Sequence, residues 1–113
     1  MSTMRVTAWS NGTGLAGGYG IRVSMKDRDV YFDFAWDWVV VQLEDGKEAK
    51  CSLSCSLWSD KRGTGKKPCI ELRKAEIGRW MLEEGLAPWP AGRPPVLILE
   101  PVTERHFRLR RPP

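Results

Sequence analysis

A chain of 113 residues with 42% apolar and 28% charged side chains has the composition of one globular domain, and it excludes both a second domain and a disordered polymer. The longest apolar run, Trp38-Val39-Val40-Val41, excludes a membrane-spanning helix, which needs about 20 such residues. The net charge of +4 is uneven: residues 26–48 carry three bases against seven acids, and residues 49–113 carry thirteen bases against seven acids. Such asymmetry is expected of a protein that turns one side to a polyanion, and also of a mixed solvated surface.

Met1 to Trp9 is polar, has no apolar core and no cleavage pattern, and so does not read as a signal peptide; the expected location is the cytoplasm. Within it, Val6 and Ala8 alternate with Thr7 and Trp9, the period of a strand. Asn11 to Gly20 holds five glycines and reads as a loop. Ile21, Val23 and Met25 alternate again as a second strand. Lys26 to Asp29 then reads as a polar turn, and Val30, Phe32 and Phe34 as a third strand. Trp36 to Leu43 suits a strand buried on both faces. Asp45-Gly46 favours a tight hairpin turn, and Lys47 to Leu57 returns as its partner strand.

Ser59 to Pro68 has no apolar residue and reads as an exposed basic loop, followed by a short strand at Ile70 and Leu72. Ile77, Trp80 and Met81 recur at helical spacing within Lys74 to Glu84, and Leu82 is expected to join them in the core. Gly85 stands at the position that ends a helix, and Pro88 and Pro90 forbid continuation. Val96 to Glu100 and Arg105 to Arg110 read as a last strand pair with Phe107 and Leu109 inward, before a frayed tail at 111–113. About seven short strands with one helix near 74–84 predict a mostly β domain closed as a barrel or pseudobarrel, since closure removes exposed edges. Most of the six tryptophans should anchor its core.

Three cysteines do not make a closed disulfide set. Cys51, Cys55, Cys69 and His106 could compose a Cys₃His zinc set, but no close pair starts it. Cys51, Leu53, Cys55 and Leu57 instead alternate as one face of a strand, which predicts buried thiols and no metal or cofactor. Gly12-Thr13-Gly14-Leu15-Ala16-Gly17 spells a dinucleotide fingerprint, but a strand follows where a helix must. In Gly63-Thr64-Gly65-Lys66-Lys67 a phosphate loop fails, because Lys67 stands where Ser or Thr is required. His106 has no nucleophile near it in sequence, and Asp33 with Asp37 reads as a solvated pair, so no motif asks for an enzyme.

Two polar segments remain. Asn11, Thr13 and their glycines offer bare amides and short polar groups suited to phosphates and base edges, with Tyr19 beside them. Lys61, Arg62, Lys66 and Lys67 place four cations in seven residues. Brought to one end of a barrel, and joined by Arg73, the two would grip double-stranded DNA. The alternative is a protein-interaction module anchored by Trp9, Tyr19 and Trp58.

The stretch Ala75 to Trp80, through Gly85 to Pro90 and Gly92 to Pro95, resembles a small bacterial family of stand-alone proteins with no assigned function. Separately, Ser10 to Tyr19 is similar to a glycine-rich segment in the effector domains of certain restriction endonucleases, which share a DNA-binding pseudobarrel with plant auxin-response-type transcription factors. The basic loop before Glu71-Leu72-Arg73 is similar to that family's second DNA-gripping arm. The resemblance implies that Asn11, Thr13 and Tyr19 belong to a first arm, and Trp58, Lys61, Arg62, Lys66 and Lys67 to a second. The chain carries a Gly-Tyr pair where that family tends to have His, and it carries no nuclease domain; the implied activity is binding alone.

Overall fold

A computed structural model describes residues 3–54 and 56–113. Strands Met4–Ser10 (β1), Tyr19–Arg22 (β2), Trp38–Gln42 (β3), Glu48–Ser52 (β4), Glu71–Arg73 (β5), Val96–Thr103 (β6) and His106–Arg110 (β7) form one sheet in the order β4-β3-β7-β6-β1-β2-β5. Every pair is antiparallel except β3–β7, which is parallel. The sheet curls until its edges, β4 and β5, face each other across a cleft, which makes the nearly closed, mostly β barrel expected from the alternating pattern. Helices Met25–Tyr31 (α1), Ser59–Arg62 (α2) and Ala75–Glu83 (α3) and a 3-10 turn at Ala16–Gly18 fill the connections. Among the described residues no helix is long and apolar enough to cross a membrane.

The pairing directions decide which loops can meet. Strands β1, β3, β5 and β7 run one way, and β2, β4 and β6 the other. At the upper end, where β1, β3, β5 and β7 finish, lie the glycine-rich loop, the β3–β4 turn, α3 and residues 85–95. At the lower end lie α1, residues 53–70 and the β6–β7 turn.

Alternate residues of each strand fill the barrel. Val6, Ile21, Val39, Val41, Leu97, Leu99, Phe107 and Leu109 are buried, and Phe107 stacks on Phe32 with centroids 5.1 Å apart. At the β3–β4 turn Gly46 adopts φ 88°, closed to most side chains, and its N–H reaches the Leu43 carbonyl at 3.0 Å. Helix α3 caps the upper end with Ile77, Trp80 and Met81, and it stops as predicted, with the Leu86 N–H returning to the Met81 carbonyl at 2.9 Å. Its Gly78 is a packing requirement: a Cβ there would run into the carbonyl of Ala16.

Several expectations are corrected. Residues 25–31 are a helix, where a turn and a third strand were expected. The cause is Ser24, whose Oγ accepts the Asp27 N–H at 3.1 Å and satisfies one orphan donor of the first turn. Leu82 points to solvent instead of the core, whereas most of the six tryptophans do serve the core as expected: Trp58 and Trp80 are buried in it, and Trp36 and Trp89, half-buried, pack against it. Arg111 is not frayed: its guanidinium bridges Glu44 and Glu84, each at 3.1 Å. The strand after Asp45-Gly46 ends at Ser52, short of Leu57. Cys51 faces the core on it, fully buried, and burial pushes its thiol up to about 12. His106 pairs with Val40 on the outward-facing row, so the wall of the barrel separates it from Cys51. The expectation for Cys55 lies outside the described residues.

Candidate nucleic-acid interface

The basic loop is built on one buried charge. Helix α1 turns Arg28 inward, and its side chain is 0% exposed. All five of its N–H groups are used. Nε and Nη2 donate to Asp29 Oδ1 at 3.1 and 2.8 Å, Nη1 to the Leu57 carbonyl at 2.8 Å and Asp60 Oδ1 at 2.7 Å, and Nη2 to Asp60 Oδ2 at 2.9 Å. The fork geometry of guanidinium permits the bidentate grip on Asp60. Asp60 raises the Arg28 pKa, and Arg28 in turn holds the Asp60 carboxyl below its ordinary value. Below the guanidinium lies Trp58, its ring centroid 4.3 Å from Cζ. The Asp60 carboxylate on α2 and the Leu57 carbonyl just before it therefore fix α2 to α1, while Asp29 braces the guanidinium from α1 itself.

From that root the chain closes a ring. Ser59 Oγ donates to the Lys66 carbonyl at 2.8 Å, across seven residues, and Gly63 turns the chain at φ 68°. Lys61, Arg62, Lys66 and Lys67 stand on the ring, exposed, and among the described residues none of them pairs with a carboxylate. Arg62 lies over the half-exposed ring of Phe34, 4.7 Å from its centroid. Asp27, Asp29, Asp33 and Asp37 are on the same lower end, so the acidic and basic stretches of the sequence are interleaved there. Asp29 is spent on Arg28, and Asp33 accepts the Ala35 N–H at 2.8 Å.

The glycine-rich loop is on the opposite end. It follows β1 and precedes β2, whereas the basic loop precedes β5. Since Gly20 pairs with Arg73 and Arg22 with Glu71, the two loops leave opposite ends of the β2–β5 ladder. The grip by two arms at one end is thereby corrected. The first loop is also closed on itself: Asn11 Oδ1 accepts the Thr13 N–H at 3.0 Å and its hydroxyl at 2.8 Å, and the Asn11 N–H reaches the Gly18 carbonyl at 2.9 Å. Tyr19 is 3% exposed, its ring edge-on to Trp89 at 5.6 Å, so it belongs to the core and not to a docking arm. Trp58 is buried under Arg28 and is likewise no surface anchor. Arg73 is exposed at the upper end of β5, 5.5 Å from the Trp9 ring centroid. Of the eight residues singled out by sequence, Lys61, Arg62, Lys66 and Lys67 share one loop; Asn11, Thr13, Tyr19 and Arg73 are elsewhere.

Arg28 was missed, because Lys26 to Asp29 reads as a turn. The signal was present: Ser24-Met25-Lys26-Asp27 has the S-x-x-D spacing of a helix start. Also missed was the cleft at the barrel seam, about 500 Å³, walled by Ser52, Leu53 and Ser54 on one side and by Cys69, Glu71, Arg73 and Lys74 on the other. Cys69 donates its thiol to Glu71 Oε2 at 3.3 Å, and burial, followed by that carboxylate, pushes its pKa above the ordinary value. No known family model matches this chain, and neither does any curated protein or solved structure.

Proposed function

We propose that the protein binds DNA through the backbone phosphates, with the ring at residues 59–67 as the contact. One observation carries this reading: four exposed cations without carboxylate partners sit on a ring whose root is fixed by a fully buried, fully bonded arginine. A loop that served only solubility would need no such root. A held loop loses little conformational entropy on binding, so more of its phosphate attraction becomes affinity. Phosphate contacts position a protein and carry no sequence information, so the contact from this ring is sequence-tolerant.

The test is titration of a labelled DNA duplex between about 50 and 200 mM salt. Lys66→Ala/Lys67→Ala is expected to weaken binding to every sequence alike and to flatten the logarithmic salt slope by about 2, since each neutralised phosphate contributes ~0.9. Asn11→Ala, on the other end, is expected to leave both unchanged. Equal binding by the double variant and the parent would remove the loop from any role in DNA contact.

A further inference from the structure

The outer wall of the barrel carries a second set of unpaired cations. On β3 the residues that alternate with buried Val39 and Val41 face outward, and these are Trp38, Val40 and Gln42. Val40 is flanked by Lys50 of β4 on one side and by His106 of β7 on the other. Two cations rest on the ring of Trp38: Lys50 Nζ and Arg105 Cζ are each 4.7 Å from its centroid. Arg105 reaches it from the β6–β7 turn, in the left-handed region at φ 62°, where Gly or Asn would stand at lower cost. Among the described residues neither Lys50 nor Arg105 pairs with a carboxylate. Glu48 and Glu100 stand on the next row, with Gln42, and Glu100 is engaged with Arg108 at 3.6 Å. Trp38 and its two cations are at the lower end, where β3 and β7 start and β4 finishes, the end that also carries the basic ring.

We infer that Lys50 and Arg105, held on Trp38, are a second phosphate contact for duplex DNA. The inference adds a contact to the proposed DNA binding of the ring and takes the choice of duplex from it. A salt bridge uses up the N–H groups of a cation. The face of an indole attracts the charge without engaging those groups in a carboxylate bond, so they stay free for phosphate oxygens. The basic ring uses the same arrangement, with Arg62 over Phe34 at 4.7 Å. Side chains already held in place lose little rotamer freedom on binding, so more of their attraction becomes affinity. Both contacts belong to one end of a molecule of 39 × 30 × 21 Å and fall within about one turn of a duplex, ~34 Å. Charge complementarity selects the occupant: cations gathered on one wall without carboxylates repel each other, and a phosphate backbone relieves that repulsion. The outer wall of a curled sheet is convex, and the phosphates of a duplex stand out far enough to reach it.

The experiment titrates a labelled DNA duplex and polyglutamate with the full chain, with Lys50→Gln/Arg105→Gln and with Lys66→Ala/Lys67→Ala. Glutamine keeps a long side chain over Trp38 and removes the charge, and circular dichroism checks the fold. Lys50→Gln/Arg105→Gln is expected to weaken duplex binding at least about fivefold and to flatten the logarithmic salt slope by about 1.8, two phosphates at ~0.9 each. Lys50→Arg/Arg105→Lys, which keeps both charges, is expected to bind as the parent does; a loss equal to that of the glutamine pair would trace the effect to packing on Trp38 and overturn the inference. Should the glutamine pair fail to fold, Lys50→Gln alone carries the test, with a slope change of about 0.9. If the glutamine pair binds duplex like the parent while Lys66→Ala/Lys67→Ala weakens it, the wall contact is wrong and the ring stands. If the glutamine pair weakens binding and Lys66→Ala/Lys67→Ala does not, the wall contact stands and the ring is wrong. No change in either removes both. Polyglutamate bound as tightly as the duplex, with the same loss in the glutamine pair, makes the wall a site for acidic protein and overturns the inference.

Discussion

Arg28→Met asks whether the buried guanidinium holds the basic ring. Methionine keeps most of the side-chain length against Trp58, so little cavity opens and the change is chiefly electrostatic. What is lost is five N–H donations, and the Leu57 carbonyl is left buried without its partner. Removing one partner of a buried, hydrogen-bonded ion cluster costs about 3–5 kcal/mol. The lower bound applies here, because the side chains of Asp29 and Asp60 are 44% and 24% exposed and regain water. At roughly 2.1 cal/mol/K per residue of unfolding entropy, a chain of this length loses about 4 °C per kcal/mol, so the midpoint should fall by about 12 °C. Thermal unfolding followed by circular dichroism measures it, and Arg28→Lys, which keeps the charge but not the fork, should fall between parent and Met. A midpoint for Arg28→Met within about 3 °C of the parent would show that the cluster contributes nothing net, and the rigid root would have to be abandoned.

Three other outcomes are expected. Asp60 has a folded pKa below its ordinary 3.8, so its contribution is present above that value and lost as pH falls below it; acid titration of Trp58 emission should show a transition in that range that Asp60→Asn lacks. Cys51 has the opposite sign: its folded pKa, about 12 against an ordinary 9.0, makes stability full below pH 9 and declining above it by up to ~1.4 kcal/mol per pH unit. Denaturant titrations of Cys51→Ala should show a shallower decline between those values than the parent. Gly78→Ala would gain helix propensity but drive a Cβ into the Ala16 carbonyl, and a net loss of about 1–3 kcal/mol is expected, read as a midpoint lowered by ~4–12 °C; an unchanged midpoint would mean that the glycine-rich loop is not clamped to α3.

The barrel was legible wherever burial follows a local period. Glu48–Ser52 alternates cleanly around Ala49 and Cys51, Asp45-Gly46 closes its hairpin, and the Ile77-Trp80-Met81 spacing marks α3. The third strand failed because two signals compete over residues 24–34. Val30, Phe32 and Phe34 alternate as a strand would, yet Val30 is 67% and Phe34 50% exposed. The helix prevails through the Ser24 cap and through contacts 29 and 32 residues away, Leu57 and Asp60, which no window of sequence contains. Tyr19 was misplaced for a related reason: its glycine neighbours read as a free loop, but Gly18 and Gly20 allow the close approach of Asn11 and of β5 that seals Tyr19 inside.

The separation of the two loops was the part no sequence pattern could reveal. Each loop is recognisable on its own, but whether they meet depends on β5 pairing with β2 and on its direction, a contact 49 residues apart in the case of Arg22 and Glu71. The same pairing leaves β5 as an edge opposite β4, and so creates the seam. One topological choice therefore takes Asn11 and Thr13 away from the four cations of the ring and leaves Arg73 at the end of β5 farther from it. The glycine-rich loop, far from the ring at 59–67, keeps the structural task of seating Ala16 against Gly78, where only the absence of a Cβ lets the helix and the loop meet.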